Sequence, residues 1–197
     1  MKNFQKIYDD VSKQVLAMAE NSPLDWFFKF HQREVIFSAK ELLKEYPEAD
    51  KEIVLISAWL HDLGHFAAKT LDEVDLVKPD HHIAGAKMAE EILKKYNLPK
   101  SEIEKIKKCI LCHRGSEPHI PQTIEEKIVA CADTLSHFKS IFYLAYFKIY
   151  PNHSLEQFVK NQRGKLERDW RDLSLLPEAQ KIAKNRYQML TQMLDDF

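Results

Sequence analysis

The sequence predicts an all-α protein, and three observations carry that prediction. Apolar residues recur at intervals of three and four along most of the chain, the period of a helix face. Only four of the 197 residues are glycine. The eight prolines, at 23, 47, 79, 99, 118, 121, 151 and 177, stand between apolar-periodic segments, where they punctuate helices without interrupting them. Alternating stretches rich in β-branched residues are missing, and so are Asn-Gly or Asp-Gly turns.

The expected helices, in order, cover 3–20, 23–46, 51–66, 81–97, 100–114, 123–149, 154–171 and 177–195. The first ends before Ser22-Pro23-Leu24-Asp25, in which Ser22 is placed to cap, Pro23 to occupy the first helical position and Asp25 to complete a capping box. On the second, Phe27, His31, Val35, Ser38 and Leu42 share one face. The third is apolar from Ile53 to Leu60 and runs directly into His61 and Asp62. Asp80 is a cap candidate for the fourth, which begins HHIAGA. Ile103, Ile106, Ile110 and His113 make the inner face of the fifth. The sixth contains KIVACADTLSHF, with Asp133 between Val129 and His137, and continues into the aromatic stretch IFYLAYFKIY. That stretch is too short to span a bilayer and contains Lys148; it reads as a core helix or a contact surface that leaves a homodimer open. Pro151 and Pro177 delimit the last two helices.

The length fits one domain, and 45% hydrophobic residues suffice for its core. Twenty-nine basic against thirty acidic side chains give a formal net charge of −1, and the two signs alternate instead of clustering. That pattern argues against nucleic acid as the main partner. The first residues are charged where a secretory leader would be apolar, and no uncharged run approaches the ~18 residues of a membrane span, so a cytoplasmic protein without a membrane partner is expected.

Cys109-Ile-Leu-Cys112-His113 matches the CxxCH pattern of covalent haem attachment. Haem of that kind belongs to exported chains, and no export signal precedes it, so no haem is expected. A zinc site would need a second Cys/His pair at ligand spacing, which is missing. The three cysteines are read as buried free thiols, and His113 as the residue of interest.

Histidines and aspartates recur on otherwise apolar faces: His31, His61-Asp62, His113 and Asp133. An ionised carboxylate in such a place loses several kcal/mol of solvation unless it is paired or bound to a cation. One inorganic centre satisfying all of these groups together is a more economical account than separate accidents.

The ordered pattern His31, His61-Asp62, Asp133 on a helical chain resembles the HD-domain superfamily of metal-dependent phosphohydrolases. The resemblance spans about residues 24–140, with 141–197 as a C-terminal helical extension of a single HD-type domain. It rests on HDLG, on a histidine about thirty residues upstream, and on ADTL, whose aspartate is Asp133. Members that hold two metals add two histidines, one four residues before a helix-opening glycine and one at a helix end. His81 before Gly85-Ala86 and His113 before Arg114 are similar to these. His82 points about 100° away from His81 around the helix and stands in reserve.

The resemblance implies two divalent transition-metal ions, iron, manganese, zinc or nickel, since four imidazoles and two carboxylates suit these better than magnesium or calcium. His31, His61 and Asp133 would hold one ion, His81 and His113 the other, and Asp62 would bridge them as the catalytic carboxylate. Ions about 3.5–4 Å apart share a hydroxide and clamp a phosphoryl group. A small phosphorylated substrate, a nucleotide foremost, is expected. Arg114, His65 and Lys87 are candidate helpers, His65 standing where the family frequently has lysine; no substrate-binding residue is assigned. Two alternatives remain open: a metal-stabilised nucleotide-sensing module without turnover, and a di-iron oxygenase of the kind some superfamily members form.

Overall fold

The computed structural model describes residues 3–77, 79–115 and 118–196. Among them are α1 (Phe4–Glu20), α2 (Asp25–Glu45), α3 (Lys51–Leu60), α4 (Leu71–Val77), α5 (His81–Leu93), α6 (Lys100–Cys112), α7 (Ile124–Lys139), α8 (Phe142–Ile149), α9 (Leu155–Asp172) and α10 (Pro177–Asp195). Short 3-10 turns cover Leu63–Ala67, Lys94–Tyr96 and Leu173–Leu175. No strand occurs among the described residues, and no helix is long and apolar enough to cross a membrane.

The fold is all-α and centred on α3, whose residues Ile53 to Ala58 and Leu60 are all buried. Asp50 starts this helix by accepting hydrogen bonds from the Glu52 and Ile53 amides at 3.1 and 3.2 Å. Around α3 pack α1, α2, α6 and α7, and α2 lies along α7 in the most extensive helix pair of the molecule. Val35, Leu42, Ile53, Ile56, Ile106, Ile110, Ile128 and Leu135 fill the space between them. Each such side chain contributes about 1.5–3 kcal/mol on burial. α5 covers α6, while α9 and α10 cover the outer side of α7. Capping boxes at Thr123/Glu126 and Ser154/Gln157 open α7 and α9, and Pro177 occupies the first turn of α10.

Several boundaries differ from the sequence expectation, each for a local reason. The capping box of Ser22 and Asp25 does not form. Pro23 and Leu24 lie in a turn, Ser22 Oγ accepts from the Leu24 amide at 3.2 Å, and α2 begins at Asp25 without a side-chain cap. Asp80 sits at the N-cap of α5 but makes no capping hydrogen bond. The helix expected over 123–149 breaks at Ser140, whose extended backbone ends α7. The Ser140 hydroxyl accepts from the Phe142 amide at 3.2 Å and restarts the chain as α8. The break turns Phe142 back onto α7, where its ring stacks on His137 with centroids 3.7 Å apart. α4 was not expected at all.

The helix expected over 51–66 stops at Leu60, and the chain tightens into the 3-10 turn carrying Leu63 and Gly64. Glycine is needed there because the start of α5 lies against it. A Cβ on Gly64 would stand 1.9 Å from the His81 carbonyl oxygen. Gly85, one turn into α5, faces the same loop, and a Cβ there would be 3.2 Å from the Gly64 amide and 3.4 Å from the His61 carbonyl. Two glycines on facing elements thus let the end of α3 and the start of α5 approach backbone to backbone.

Gly64→Ala is expected to lose about 2–3 kcal/mol of stability, and Gly85→Ala less, because the added Cβ would stand 1.9 Å from backbone in the first and 3.2 Å in the second. Urea denaturation of the two variants beside wild type checks the order; equal losses would contradict this packing.

Candidate metal centre

The close approach of α3 and α5 sets the site. His31 projects from the middle of α2, its ring stacked on Phe27 with centroids 5.2 Å apart. His61 and Asp62 follow the last turn of α3, His81 is the first residue of α5, His113 follows the last residue of α6, and Asp133 sits inside α7. The structure brings all six together, although up to 102 positions separate them in the chain. None of the four histidines is more than 6% exposed.

His31 Nε2 and His61 Nε2 lie 3.4 Å apart. Asp62 Oδ2 is 3.1 and 3.4 Å from them, and Asp133 Oδ1 is 3.3 and 3.6 Å from them. Neighbouring ligands bonded to one ion at about 2.0–2.2 Å are separated by about 3.0–3.6 Å, so these spacings suit a shared cation. The other oxygen of Asp62 faces a second set: Oδ1 is 3.7 Å from His81 Nε2 and 3.8 Å from His113 Nε2, and those two nitrogens are 2.9 Å apart. His82, buried beside His81, instead turns its ring towards His119, 5.6 Å away between centroids.

The hydrogen bonds behind the rings decide what the inner nitrogens carry. His61 Nδ1 lies 2.9 Å from the Ala58 carbonyl and His113 Nδ1 lies 2.6 Å from the Ile110 carbonyl. A carbonyl only accepts, so each Nδ1 donates, and in the neutral ring Nε2 holds a lone pair aimed into the site. His31 Nδ1 is 3.0 Å from Ser136 Oγ. Lone pairs turned on one another at these distances repel unless a proton or a metal ion lies between them, and rings held from behind in this way are the ordinary support of metal-ligating histidines.

The electrostatics agree. Burial favours the neutral acid of Asp62, yet His61, His65 and the hydrogen bond from His31 hold its carboxyl well below the usual carboxylate range. Asp133 is held low against burial by His137, His61 and His31. Burial pulls His61 down, but Asp62 and Asp133 overcome it and raise this imidazole well above its usual value. His113, desolvated and beside His81 and His61, is pushed down to about 3 and stays neutral. The carboxylates therefore demand positive charge at the His31/His61 set, while the His81/His113 set presents neutral imidazole.

A cavity of about 310 Å³ opens onto both sets. It contains further residues that the sequence reading did not assign. His65 stacks on His81 with centroids 4.0 Å apart, and its Nε2 is 3.8 Å from Asp62 Oδ1. His137 Nε2 is 3.7 Å from Asp133 Oδ1, and its Nδ1 is 3.0 Å from Asp169 Oδ2 on α9. Asp169, 2% exposed, also accepts from Tyr143 Oη at 2.8 Å and pairs with Lys165. Lys165, Arg168 and Arg171 bring one cationic edge of α9 to the cavity, and Arg114 approaches from the loop after α6. Of the candidate helpers, His65 and Arg114 line the cavity, whereas Lys87 is solvent-exposed on α5. The signal for His137 lay one helical turn after Asp133. The signal for α9 was weak, because a helix as charged as KLERDWRD reads as a solvated surface.

The CILCH segment resolves into two halves. Cys109 and Cys112 are buried in α6, where desolvation raises both thiols, Cys112 to about 11. His113 alone turns into the centre. Cys131 is likewise a buried free thiol, raised by burial to about 12.

Comparison with known proteins places this arrangement. The HD domain family model matches residues 30–137, which includes all six His and Asp positions. A crystal structure of a predicted HD superfamily hydrolase from an uncultured Thermotogales bacterium superposes with a TM-score of 0.60 at 20% identity, covering 94% of this chain and 90% of that one. Among curated proteins, a tRNA (cytidine(56)-2'-O)-methyltransferase of Picrophilus torridus is 30% identical over 116 residues. That match takes in 52% of this chain and only 29% of the methyltransferase.

Asp169 ties α9 to α7 and α8, and removing its charge should be felt as stability. Its carboxyl is lowered on folding; burial opposes this, and Lys165 and His137 outweigh it. A lowered folded pKa contributes stability that is present above about pH 4 and lost as the pH falls through the folded value. Asp169→Asn is therefore expected to lose about 3 kcal/mol at pH 7, with the gap to wild type narrowing below pH 4. Denaturation at both pH values checks this, and a gap independent of pH would contradict it.

Proposed function

The chain belongs to the HD domain family, and from that premise we propose that it is a metal-dependent phosphohydrolase acting on a small phosphorylated metabolite, with nucleotides as the leading substrate class. One observation carries the proposal: Asp62 turns one carboxylate oxygen to His31 and His61 and the other to His81 and His113. A bridging carboxylate between two sets of nitrogen donors suits two ions. On this reading His31, His61 and Asp133 hold the first, His81 and His113 the second, and Asp62 both. Iron, manganese, zinc or nickel fits the imidazole-rich set better than magnesium or calcium.

Bound there, two divalent ions would supply a water acidic enough to be a nucleophile at neutral pH and would neutralise phosphoryl charge. The protein's own groups do the rest. The Ala58 and Ile110 carbonyls hold the His61 and His113 rings in the ligating tautomer. His137, fixed by Asp169, keeps Nε2 towards Asp133 at the cavity wall, where it steadies the carboxylate or a nearby water. Phe27, Phe28 and Phe142 line the cavity beside the centre and limit competing water. The segment matched in the methyltransferase relative is less than a third of that protein.

Purified protein loaded with manganese is expected to bind about two ions and to hydrolyse members of a panel of phosphomonoesters and nucleotides. His113→Ala should bind about one ion, and Asp62→Asn should lose activity at least about a hundredfold. Retained metal with no hydrolysis across the panel would overturn the proposal in favour of a nucleotide-sensing module, for which ligand would raise the melting temperature and remain intact.

A further inference from the structure

The cavity carries more positive charge than one phosphoryl group on the metal centre needs. Outside the proposed ligand set, four cations line it, Arg114, Lys165, Arg168 and Arg171, against two carboxylates, Asp169 and Asp172. Lys165 is paired with Asp169. No carboxylate among the described residues lies within 4 Å of the Arg114 or Arg168 guanidinium, and Arg171 makes only a 3.7 Å contact, through Nε, with adjacent Asp172. Two divalent ions with Asp62 and Asp133 would leave a net positive centre, which a phosphate dianion neutralises. The three arginines would then still face a single carboxylate, Asp172, which lies nearest Arg171 and Arg168.

The fold gathers these arginines from two elements. Arg168 and Arg171 are one turn apart on α9. Arg114 is steadied at Pro79, whose carbonyl accepts from Nη1 at 2.7 Å, which uses one of five guanidinium donors. The end of α9 reaches this loop: a Cβ on Gly115 would lie 3.4 Å from Asp172 Cγ. The arginine edge and the His113 end of the centre are thus neighbours across one cavity, with Ile149 and Tyr150 on its wall.

We infer that Arg114, Arg168 and Arg171 form a second anion subsite, so that the substrate is a small molecule bearing two phosphate groups, one at the His/Asp centre and the other on this arginine edge. This rests on the phosphohydrolase reading for the first phosphate only. Guanidinium forks match phosphate oxygens in pairs, and three forks suit a dianion better than a single carboxylate. The volume of about 310 Å³ accommodates a body of nucleoside or sugar size between the two.

The test compares bisphosphates of different span with their monophosphate counterparts on manganese-loaded protein: pyrophosphate with phosphate, adenosine 3',5'-bisphosphate with adenosine 5'-monophosphate, and fructose 1,6-bisphosphate with fructose 6-phosphate. Calorimetry gives Kd while product formation is followed in parallel. At least one bisphosphate is expected to bind about tenfold or more tightly than its partner. That advantage should disappear in the Arg168→Gln/Arg171→Gln double variant and shrink in Arg114→Gln, with monophosphate binding unchanged within about twofold. Both variants should keep the wild-type melting temperature, since they alter cavity-edge side chains. No bisphosphate advantage in wild type, or an equal loss for both members of a pair, would overturn the inference. Binding that behaves as expected without any turnover would remove the hydrolase reading and leave the subsite standing. Hydrolysis with bisphosphate binding indifferent to all three arginines would do the reverse.

Discussion

Everything in this molecule is arranged around imidazole lone pairs and carboxylates that face one another inside a protein core. His61 and His113 are held from behind by helix carbonyls, and two aspartates kept ionised stand among four buried rings. Left without a cation, such a cluster costs several kcal/mol through desolvation and like-charge repulsion. With a cation between the donors, the same groups become a strong, pre-formed binding site. The donors reach this geometry from five helices, so the folding of the whole bundle stands behind the site.

The packing shows how that convergence is achieved. α3 ends where the pair His61-Asp62 must emerge, and Gly64 and Gly85 let the following turn and α5 meet backbone to backbone. A side chain on Gly64 would push His81 away from Asp62. On the far side, Ser140 breaks the α7 line so that Phe142 returns onto His137, and Asp169 on α9 completes that wall. The C-terminal helices α8 and α9 are therefore part of the cavity. They supply its cationic edge and the carboxylate that orients His137.

Helical periodicity made most of the bundle legible in the sequence, because α2, α3, α6 and α7 each bury a continuous apolar face and because proline and charge mark their ends. The six His and Asp positions stood out for the same reason: a polar group on an apolar face is an energetic anomaly that a reader can see. What escaped was set by contacts between elements. The end of α3 at Leu60 depends on the approach of α5, and the break at Ser140 depends on the docking of Phe142; neither leaves a local mark. The capping box proposed at Ser22 and Asp25 had suitable residues, but the chain made a turn there instead. Lys165, Arg168, Asp169 and Arg171 looked like ordinary surface charge, since nothing in an exposed-looking helix reveals that its edge closes over a site 30 residues and more away in the chain.

Anomalous diffraction from crystals grown with manganese tests the central claim most directly. Strong peaks about 2.1 Å from His31 Nε2, His61 Nε2 and the Asp62 and Asp133 carboxylates, with a second peak beside His81 Nε2 and His113 Nε2, is the result this account predicts. Crystals in which the rings hydrogen-bond to one another with no anomalous signal between them, although manganese is present in excess, would contradict it.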